Sequence, residues 1–499
     1  MQKMQSKVTL NQILKWLELT VCDTDVPVFN LSLDSRTIQK GDVFIALSGF
    51  RVHGMDYAYQ AERAGAIAVI SEPTKEDRVA SVGRQKPLGI PVFECDDLSG
   101  KLGELASKFY GHPSQYMDIT AITGTNGKTS TAWLLMHALE QLGVKTAYIG
   151  TLGVGDSVSL EKIPNTTPSA IDIQKHLADM RTKGFEHVCI EVSSHALDQY
   201  RFTGTQIENA IFTNLSRDHL DYHRTMKAYA ATKLKLFTEF TSSNKVINVD
   251  DETGASWVNN ELKSLDSLSY GINNKNADFN ATDIRLLHQG IAFKLINDNT
   301  VFEFQTGLLG QFNVENTLAV IAVLKSIGFS MIQIQSTVAE LCPVPGRMNR
   351  VDIKPNGSLL VIDYAHTPDA LEQVLKALRS HVENQLWCVF GCGGNRDKGK
   401  RPMMGSIAEK YADNVILTDD NPRFESSQQI LNDIEFGMRT KPHVIANRKQ
   451  AIAYAIDKSQ QGDIILLAGK GHESTQEING ELIHFNDMEV VQELMQVTA

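Results

Sequence analysis

Gly124-Thr125-Asn126-Gly127-Lys128-Thr129-Ser130 lies between an apolar run, Ile119 to Thr123, and a stretch carrying Ala132, Leu135, Leu139 and Leu142 at helical spacing. The pattern predicts a strand, a glycine-bearing turn and a helix from about Thr129 to Leu142. Such a turn is a phosphate cradle. Glycines let backbone N–H groups face an anion, the helix start adds partial positive charge, Lys128 can reach the outer phosphates, and the Thr129 hydroxyl can hold Mg²⁺. The full P-loop pattern also places a glycine five residues before Gly127, where this chain has Ile122. A Gly-Lys-Thr triplet alone is more often an ordinary turn; the strand before it and the helix after it favour nucleotide binding.

The rest of the chain gives that turn its setting. At 499 residues it is longer than one hydrophobic core organises, and roughly 150 residues per domain suggests three domains. Hydrophobic residues at 42% and charged ones at 21% exclude a disordered or fibrous chain. A net charge of −11 opposes non-specific nucleic-acid binding, while an anionic small molecule can still be held by local Arg, Lys and helix starts. The six cysteines, Cys22, Cys95, Cys189, Cys342, Cys388 and Cys392, are scattered without metal-binding spacing and read as reduced thiols. No run approaches the roughly 20 apolar residues of a membrane span, and Met1 to Leu10 lacks a signal-peptide core, so a cytoplasmic location is expected.

Residues 8 to 97 alternate short strands, Asp42 to Leu47 and Ala66 to Ile70, with helices, and predict a small α/β domain. Its turns at Leu33 to Arg36 and Ser48 to Gly54 can grip a polar ligand or simply be capped surface turns. The strand His187 to Glu191 ends in a carboxylate suited to Mg²⁺, followed by Ser193-Ser194-His195, and Ala210 to Thr213 leads into Asn214 to His223, dense in acid–base groups. Glu191 and His219 stand out there. Asn165-Thr166-Thr167 can cap a helix or touch substrate equally well. A helix from Met226 to Phe240 carries Lys227, Lys233 and Lys235, which by pattern alone are solvated. Asn313 and Asn316 open a later apolar helix, either as caps or as adenine contacts. After Pro343 to Arg347 the strand–helix alternation restarts. Four strands then each end in a charged loop, at Asp363 to Asp369, Gly391 to Gly399, Asp419 to Arg423 and Gly469 to Glu473, and four such loops at one sheet edge describe a site. The expected boundaries are 1–97, 98–342 and 343–499.

Gly-Thr-Asn-Gly-Lys-Thr at 124–129, Glu191 with Ser193 to His195, Asn214 to His223, Asp363-Tyr-Ala-His-Thr-Pro and Asp420-Asn-Pro-Arg423 together resemble the Mur ligases of peptidoglycan synthesis, over nearly the whole chain. The resemblance implies an α/β, three-domain architecture with a central P-loop ATPase domain and a C-terminal doubly wound, Rossmann-like domain. Asp-Asn-Pro-Arg is the family's mark of meso-2,6-diaminopimelate addition. By resemblance Leu33, Ser35 and Phe50-Arg51-Val52 hold the UDP end of a muramoyl-dipeptide substrate, and Asn165, Thr166, Thr167, Ser193, Gln199 and Arg201 hold its peptide part. Gly124 to Ser130 with Asn313, Arg347 and Asp363 would bind ATP. Arg396, Asp420, Asn421, Pro422, Arg423, Gly469 and Glu473 would bind the amino acid. Lys128, Glu191, His219 and Lys233 would be catalytic, with Lys233 carbamylated and joining Thr129 and Glu191 around Mg²⁺. Ser130 replaces the family's more usual threonine and keeps the hydroxyl.

The chemistry so implied is amide formation. ATP phosphorylates the D-glutamate side-chain carboxylate, and an amine of diaminopimelate attacks the acyl phosphate, leaving ADP and phosphate. The residues before 98 argue against a folylpolyglutamate synthetase and Arg423 against a lysine-adding ligase; a P-loop switch without an acceptor is the remaining class. A monomer acting on these three small molecules is expected, with no nucleic acid and no membrane span.

Overall fold

The computed structural model describes residues 8–49, 52–73, 87–240, 243–353 and 356–497; Phe50 and Arg51 lie outside them. Chain packing gives two compact units. One joins 1–132, 143–247 and 251–267, the other 133–142, 248–250 and 268–499.

In the first unit, β1 (Leu31–Ser32), β2 (Val43–Ala46), β3 (Ala68–Ser71) and β4 (Val92–Glu94) form a parallel sheet in that order. Every residue of β2 and β3 is buried. Alternation along the strand explains how: Val43 and Ile45 join a cluster with Leu10, Ile13, Leu98 and Leu102, whereas Phe44 and Ala46 join Ala58 and Ala61 on the opposite face. The helix Leu10–Trp16, opened by a Thr9/Gln12 capping box, covers the first of these faces.

The same unit contains β5 (Asp118–Thr123), β6 (Thr146–Gly150), β7 (Gly153–Gly155), β8 (Leu160–Glu161), β9 (His187–Glu191), β10 (Asn209–Phe212) and β11 (Asn244–Asn248), in the order β11-β10-β5-β9-β6-β7-β8. From β11 to β6 the pairing is parallel, and β7 and β8 add an antiparallel edge. Because β10, β5 and β9 are parallel neighbours, their carboxyl ends lie side by side. That register brings the Asn214 segment, the phosphate turn and Glu191 to one sheet edge.

The second unit opens with β12 (Leu268–Gly271) beside a meander of β13 (Phe279–Leu287), β14 (Gly290–Asn297) and β15 (Thr300–Thr306). It continues with β16 (Asn349–Ile353), β17 (Ser358–Asp363), β18 (Leu386–Phe390), β19 (Asn414–Leu417), β20 (His443–Val444) and β21 (Ile464–Ala468), ordered β16-β17-β21-β18-β19-β20. Only β16 runs antiparallel in this sheet. Leu359, Val361, Cys388 and Phe390 pack on one face with Leu371, Leu375, Met404 and Ile430; Leu360, Ile362, Trp387 and Val389 pack on the other with Ala451, Ile452 and Val491. Helices thus cover both faces, the doubly wound arrangement, and the four charged loops follow β17, β18, β19 and β21 at one edge as expected. A short hairpin, β22 (Thr475–Ile478) and β23 (Glu481–His484), extends the last of these loops. All six cysteines are free thiols. No helix among the described residues is long and apolar enough to cross a membrane.

Candidate active site

The candidate residues fall into two groups, one in each unit. In the first, β5 ends at Thr123 and the helix Lys128–Gln141 begins. The turn between them is fixed largely by neutral groups: Thr125 N donates to Asn214 O at 2.8 Å, Asn126 N to Asn214 Oδ1 at 2.9 Å, and Thr213 Oγ1 to Asn126 O at 2.6 Å. Gly124 has φ +151°, and a Cβ there would stand 1.9 Å from Thr213 Oγ1, so the turn approaches β10 only because this residue is glycine. Lys128 Nζ folds back onto the carbonyls of Gly124 and Thr125, each at 2.8 Å.

Glu191 is fully buried. Its carboxylate accepts from Thr129 Oγ1 at 3.0 Å, Thr151 N at 3.0 Å, Thr151 Oγ1 at 3.2 Å and the Tyr148 hydroxyl, and no lysine or arginine pairs with it among the described residues. An unneutralised buried carboxylate beside a hydroxyl is a hard-oxygen donor set of the kind Mg²⁺ takes. Tyr148 and Thr151 sit at the end of β6, the strand paired with β9, and sequence reading passed over them; that strand register is the signal that locates them.

Lys233 departs most from its pattern reading, being 1% exposed. Along the helix Met226–Thr238 it shares a stripe with the buried Tyr229, Leu236 and Phe237. Its Nζ donates to Gly124 O at 2.7 Å, and burial, reinforced by Lys128, pushes its pKa well down, so the amine is driven toward its neutral form.

Thr167 Oγ1 donates to Glu191 O at 2.8 Å and accepts from Ser193 N at 3.0 Å, while Arg201 spans Gln199 Oε1 and Thr167 O. Thr166 is tied to Thr151 at 3.1 Å, so Thr166, Thr167, Ser193, Gln199 and Arg201 form one cluster beside Glu191, with Asn165 exposed on the same loop. His219 is half-exposed with φ +53°, its ring centroid 5.0 Å from that of His195. Burial pushes the pKa values of His195 and His223 down, which favours neutral rings able to pack against Tyr222 and Tyr229. No group of three or more His, Cys, Asp or Glu among the described residues is arranged to hold a metal by itself. Leu33 and Asp34 line a cavity of about 580 Å³ with Lys40, Asp42, Asp172 and Lys175, while Ser35 turns to Gln60 at 3.2 Å and Val52 is exposed.

In the second unit, Asp363 is held by the backbone N–H groups of Met348 and Ala365 at 2.9 and 2.8 Å, and burial raises its pKa while Arg347 opposes that. Asn313 lies inside the helix Phe312–Ser326, donating to Leu309 O at 2.8 Å and accepting from Asn316 at 3.0 Å, while the N-cap, Gln311, has no side-chain cap bond. Asn421 and Asp420 are nearly buried. Asn421 Nδ2 donates to Glu473 Oε2 at 3.1 Å, and Gly394 N donates to Asn421 O at 2.9 Å. Lys470, wholly buried, donates to Glu473 Oε2 at 3.1 Å, to Thr475 O at 2.7 Å and to Asn421 Oδ1 at 3.4 Å. Arg423 has φ +53° and reaches Glu477 and Gly394, whereas Arg396 is exposed on the neighbouring loop. Behind these loops, the buried Arg401 joins Glu425 and Asp433, and the buried Arg448 joins Asp487 at 2.7 Å. Helical pattern gave no sign of Arg401 or Arg448.

Comparison with known proteins matches residues 27–110 to the Mur ligase family, catalytic domain, 122–324 to the Mur ligase middle domain, and 346–471 to the Mur ligase, glutamate ligase domain. The chain is 41% identical over 479 residues to the UDP-N-acetylmuramoyl-L-alanyl-D-glutamate--2,6-diaminopimelate ligase of Haemophilus influenzae strain PittEE, covering 93% of this chain and 96% of that one. It is 42% identical over 489 residues to the ligase of the same name from Xanthomonas oryzae pv. oryzae strain MAFF 311018, covering 97% and 96%. A solved structure of a ligase of that name superposes with a TM-score of 0.76 at 36% identity, covering 98% of this chain and 99% of that one. With its phosphate turn, buried Glu191 and doubly wound C-terminal sheet, the chain belongs to the Mur ligase family and has its three-domain architecture.

Proposed function

We propose that the chain is an ATP-dependent amide ligase that joins meso-2,6-diaminopimelate to UDP-N-acetylmuramoyl-L-alanyl-D-glutamate in a cytoplasmic step of peptidoglycan synthesis. The observation that carries this reading is the ordered Asp420-Asn421-Pro422-Arg423 loop, within a chain 41% identical to ligases named for that reaction. Residues 1–97 would bind the UDP end, 98–342 the ATP and 343–499 the amino acid.

The D-glutamate side-chain oxygen attacks the γ-phosphorus of ATP, the bond to ADP breaks, and an acyl phosphate forms. The diaminopimelate amine then attacks the acyl carbon; a C–N bond forms, phosphate leaves and the amine sheds a proton. Lys128 at the head of its helix offsets the charge on the transferring phosphoryl group. Thr129 and Glu191 fit a Mg²⁺ ion, which would supply further positive charge at the phosphates. Thr167, Ser193, Gln199 and Arg201 orient the peptide carboxylate, with His219 at the same sheet edge. Lys233 is carbamylated in this reading: its neutral amine attacks CO₂, a N–C bond forms and a proton leaves, and the carbamate oxygens would join Thr129 and Glu191 in holding a Mg²⁺ ion. Its burial, with no carboxylate hydrogen-bonded to it among the described residues, supports this.

The test measures phosphate release from ATP with and without the muramoyl-dipeptide and diaminopimelate. Release should require both; equal release without them would make the chain a nucleotide hydrolase. Lys233→Ala should lose most activity and recover part of it in acetate, and full activity in that variant would rule the carbamate out. Equal kcat/KM for lysine and diaminopimelate, or a ratio unchanged in Arg423→Ala, would overturn the diaminopimelate assignment, and a higher kcat/KM for lysine would favour the lysine-adding alternative.

A further inference from the structure

Arg423 is gripped from two separate segments. Its Nε donates to Glu477 Oε2 at 3.0 Å, on β22, and its Nη1 donates to Gly394 O at 2.8 Å, on the loop after β18. Two contacts from different directions fix the guanidinium plane, and Nη2 has no hydrogen-bond partner among the described residues. The backbone is held by the same hairpin: Arg423 N donates to Glu477 O at 2.9 Å and Asn479 N donates to Arg423 O at 2.7 Å. That clamp maintains φ +53° at a residue with a side chain, a conformation an unsupported loop would leave. On the opposite side, a Cβ at Gly394 would lie 1.9 Å from Pro422 O, so the loop after β18 presses directly against the Pro422–Arg423 peptide.

The Arg423–Glu477 pair is partly exposed, at 22% and 29%. Water screens such a pair, and its main effect is on where the guanidinium points. An arginine held in one rotamer before a ligand arrives loses less freedom on binding, and a planar fork recognises a carboxylate only when its plane is aligned.

We propose that Glu477 is a positioning residue for amino-acid selection: by holding Nε it turns the Arg423 guanidinium so that the unpartnered Nη2 faces the distal carboxylate of the incoming amino acid. Glu477 touches no reacting atom; it acts through Arg423. The proposal rests on Arg423 being the selecting residue in the reading above.

The experiment compares KM and kcat for diaminopimelate and lysine in the full-length enzyme and in Glu477→Ala, Glu477→Gln and Arg423→Ala. Glu477→Ala should raise KM for diaminopimelate about ten- to a hundred-fold with kcat within about threefold, because orientation and not chemistry is lost. KM for ATP should not move. Discrimination against lysine should fall in parallel. Glu477→Gln keeps an acceptor for Nε and should restore KM to within about threefold of the parent. Should Glu477→Ala fail to fold, Glu477→Asp, which retracts the carboxylate by one methylene, carries the same expectation. An unchanged KM in the folded variant overturns the proposal, as does a KM that falls in Glu477→Ala and Glu477→Gln alike, since Glu477 would then compete with substrate for Arg423. If Arg423→Ala keeps full discrimination, the underlying reading fails and takes the proposal with it. If Arg423→Ala loses discrimination while Glu477→Ala keeps it, the proposal alone fails.

Discussion

At the phosphate turn the chain is held mainly by amides, carbonyls and hydroxyls, with Asn214 and Thr213 supplying most of the grip and Lys128 and Lys233 donating to its carbonyls. Around the Asp420–Arg423 loop it is held by ions: Arg401 with Glu425 and Asp433, Lys470 with Glu473, Arg423 with Glu477, and Arg448 with Asp487. Both sites lie at carboxyl ends of parallel strands, so the sheet does not dictate the difference. The ligand chemistry proposed above would account for it. A phosphate is met by backbone dipoles that need only the right turn, whereas choosing among amino acids by their distal groups needs side-chain charges fixed in direction. On that reading, removing one partner from a buried ion pair should cost more than removing one neutral donor.

The largest effect should come from breaking the ionic side. Arg448 and Asp487 both have fully buried side chains, and Arg448 Nη1 has no hydrogen-bond partner among the described residues. Asp487→Ala would strand a buried guanidinium and should cost about 3–5 kcal/mol, read as a lower midpoint in urea. A loss below about 1 kcal/mol would mean that the pair is not what secures these loops.

Lys128→Ala sharpens the other side. Lys128 contacts two backbone carbonyls, so folding should hardly change while ligase turnover falls about 10²–10³-fold. Retained turnover, or a stability loss as large as that of Asp487→Ala, would erase the distinction between the two scaffolds.

The two regions should also fail at different acidities. His187 on β9 shares a 2.9 Å hydrogen bond with Thr120, and burial pushes its pKa down to about 4. The native ring is neutral while the unfolded chain takes up a proton near pH 6.5, so stability falls as pH drops from 6.5 toward 4, by about 3 kcal/mol in total. Glu425 loses its stabilisation in the same direction but in a lower window: Arg401 draws its pKa down to about 2, so the stabilisation is present above the usual carboxylate range and is lost as pH falls from that range toward 2. Hydrogen exchange followed from pH 7 to 4 should loosen β9 before the Arg401–Glu425 contact. His187→Gln should flatten the upper part of the profile; an unchanged profile would remove His187 as the cause.

These scaffolds differ in how far the sequence discloses them. The phosphate turn, Glu191 and the four C-terminal loops were legible because each is a contiguous strand-then-loop segment with its own residue signature. Strand limits shifted by about a residue, since the last ladder bond and not the last apolar residue ends a strand. Lys233 was half legible: its stripe with Tyr229, Leu236 and Phe237 is visible in the spacing, but three lysines on one helix read as solvated until the fold buries one. Arg401, Arg448, Lys470 and Glu477 were illegible as a network, because each partner comes from another segment and burial of a charge depends on that partner. The meander from Phe279 to Thr306 drew no expectation at all, lying between the two motif-rich regions.

Glu191 is where the comparison is sharpest, since it is a fully buried charge on the neutral side. Its carboxylate is supported by Tyr148, Thr151 and Thr129, all uncharged, while Glu473 and Glu477 each already hold a cation. A carboxylate kept by neutral donors can be handed to an incoming metal ion; one already paired has less to give. Tyr148→Phe removes one donor from Glu191 and leaves Leu152 N, which donates to the Tyr148 hydroxyl at 3.3 Å, without that acceptor. The loss should be about 2 kcal/mol of stability, smaller than that at Asp487 because the carboxylate keeps its other donors. Mg²⁺ should restore part of it, since a cation bound only by the folded chain stabilises in proportion to its occupancy. The same Mg²⁺ should do little for Asp487→Ala, whose stranded group is itself a cation. Thermal midpoints of both variants across a Mg²⁺ series decide the matter: equal recovery in the two, or none in Tyr148→Phe, would mean that Glu191 is a structural carboxylate and that the contrast between the two scaffolds does not extend to metal binding.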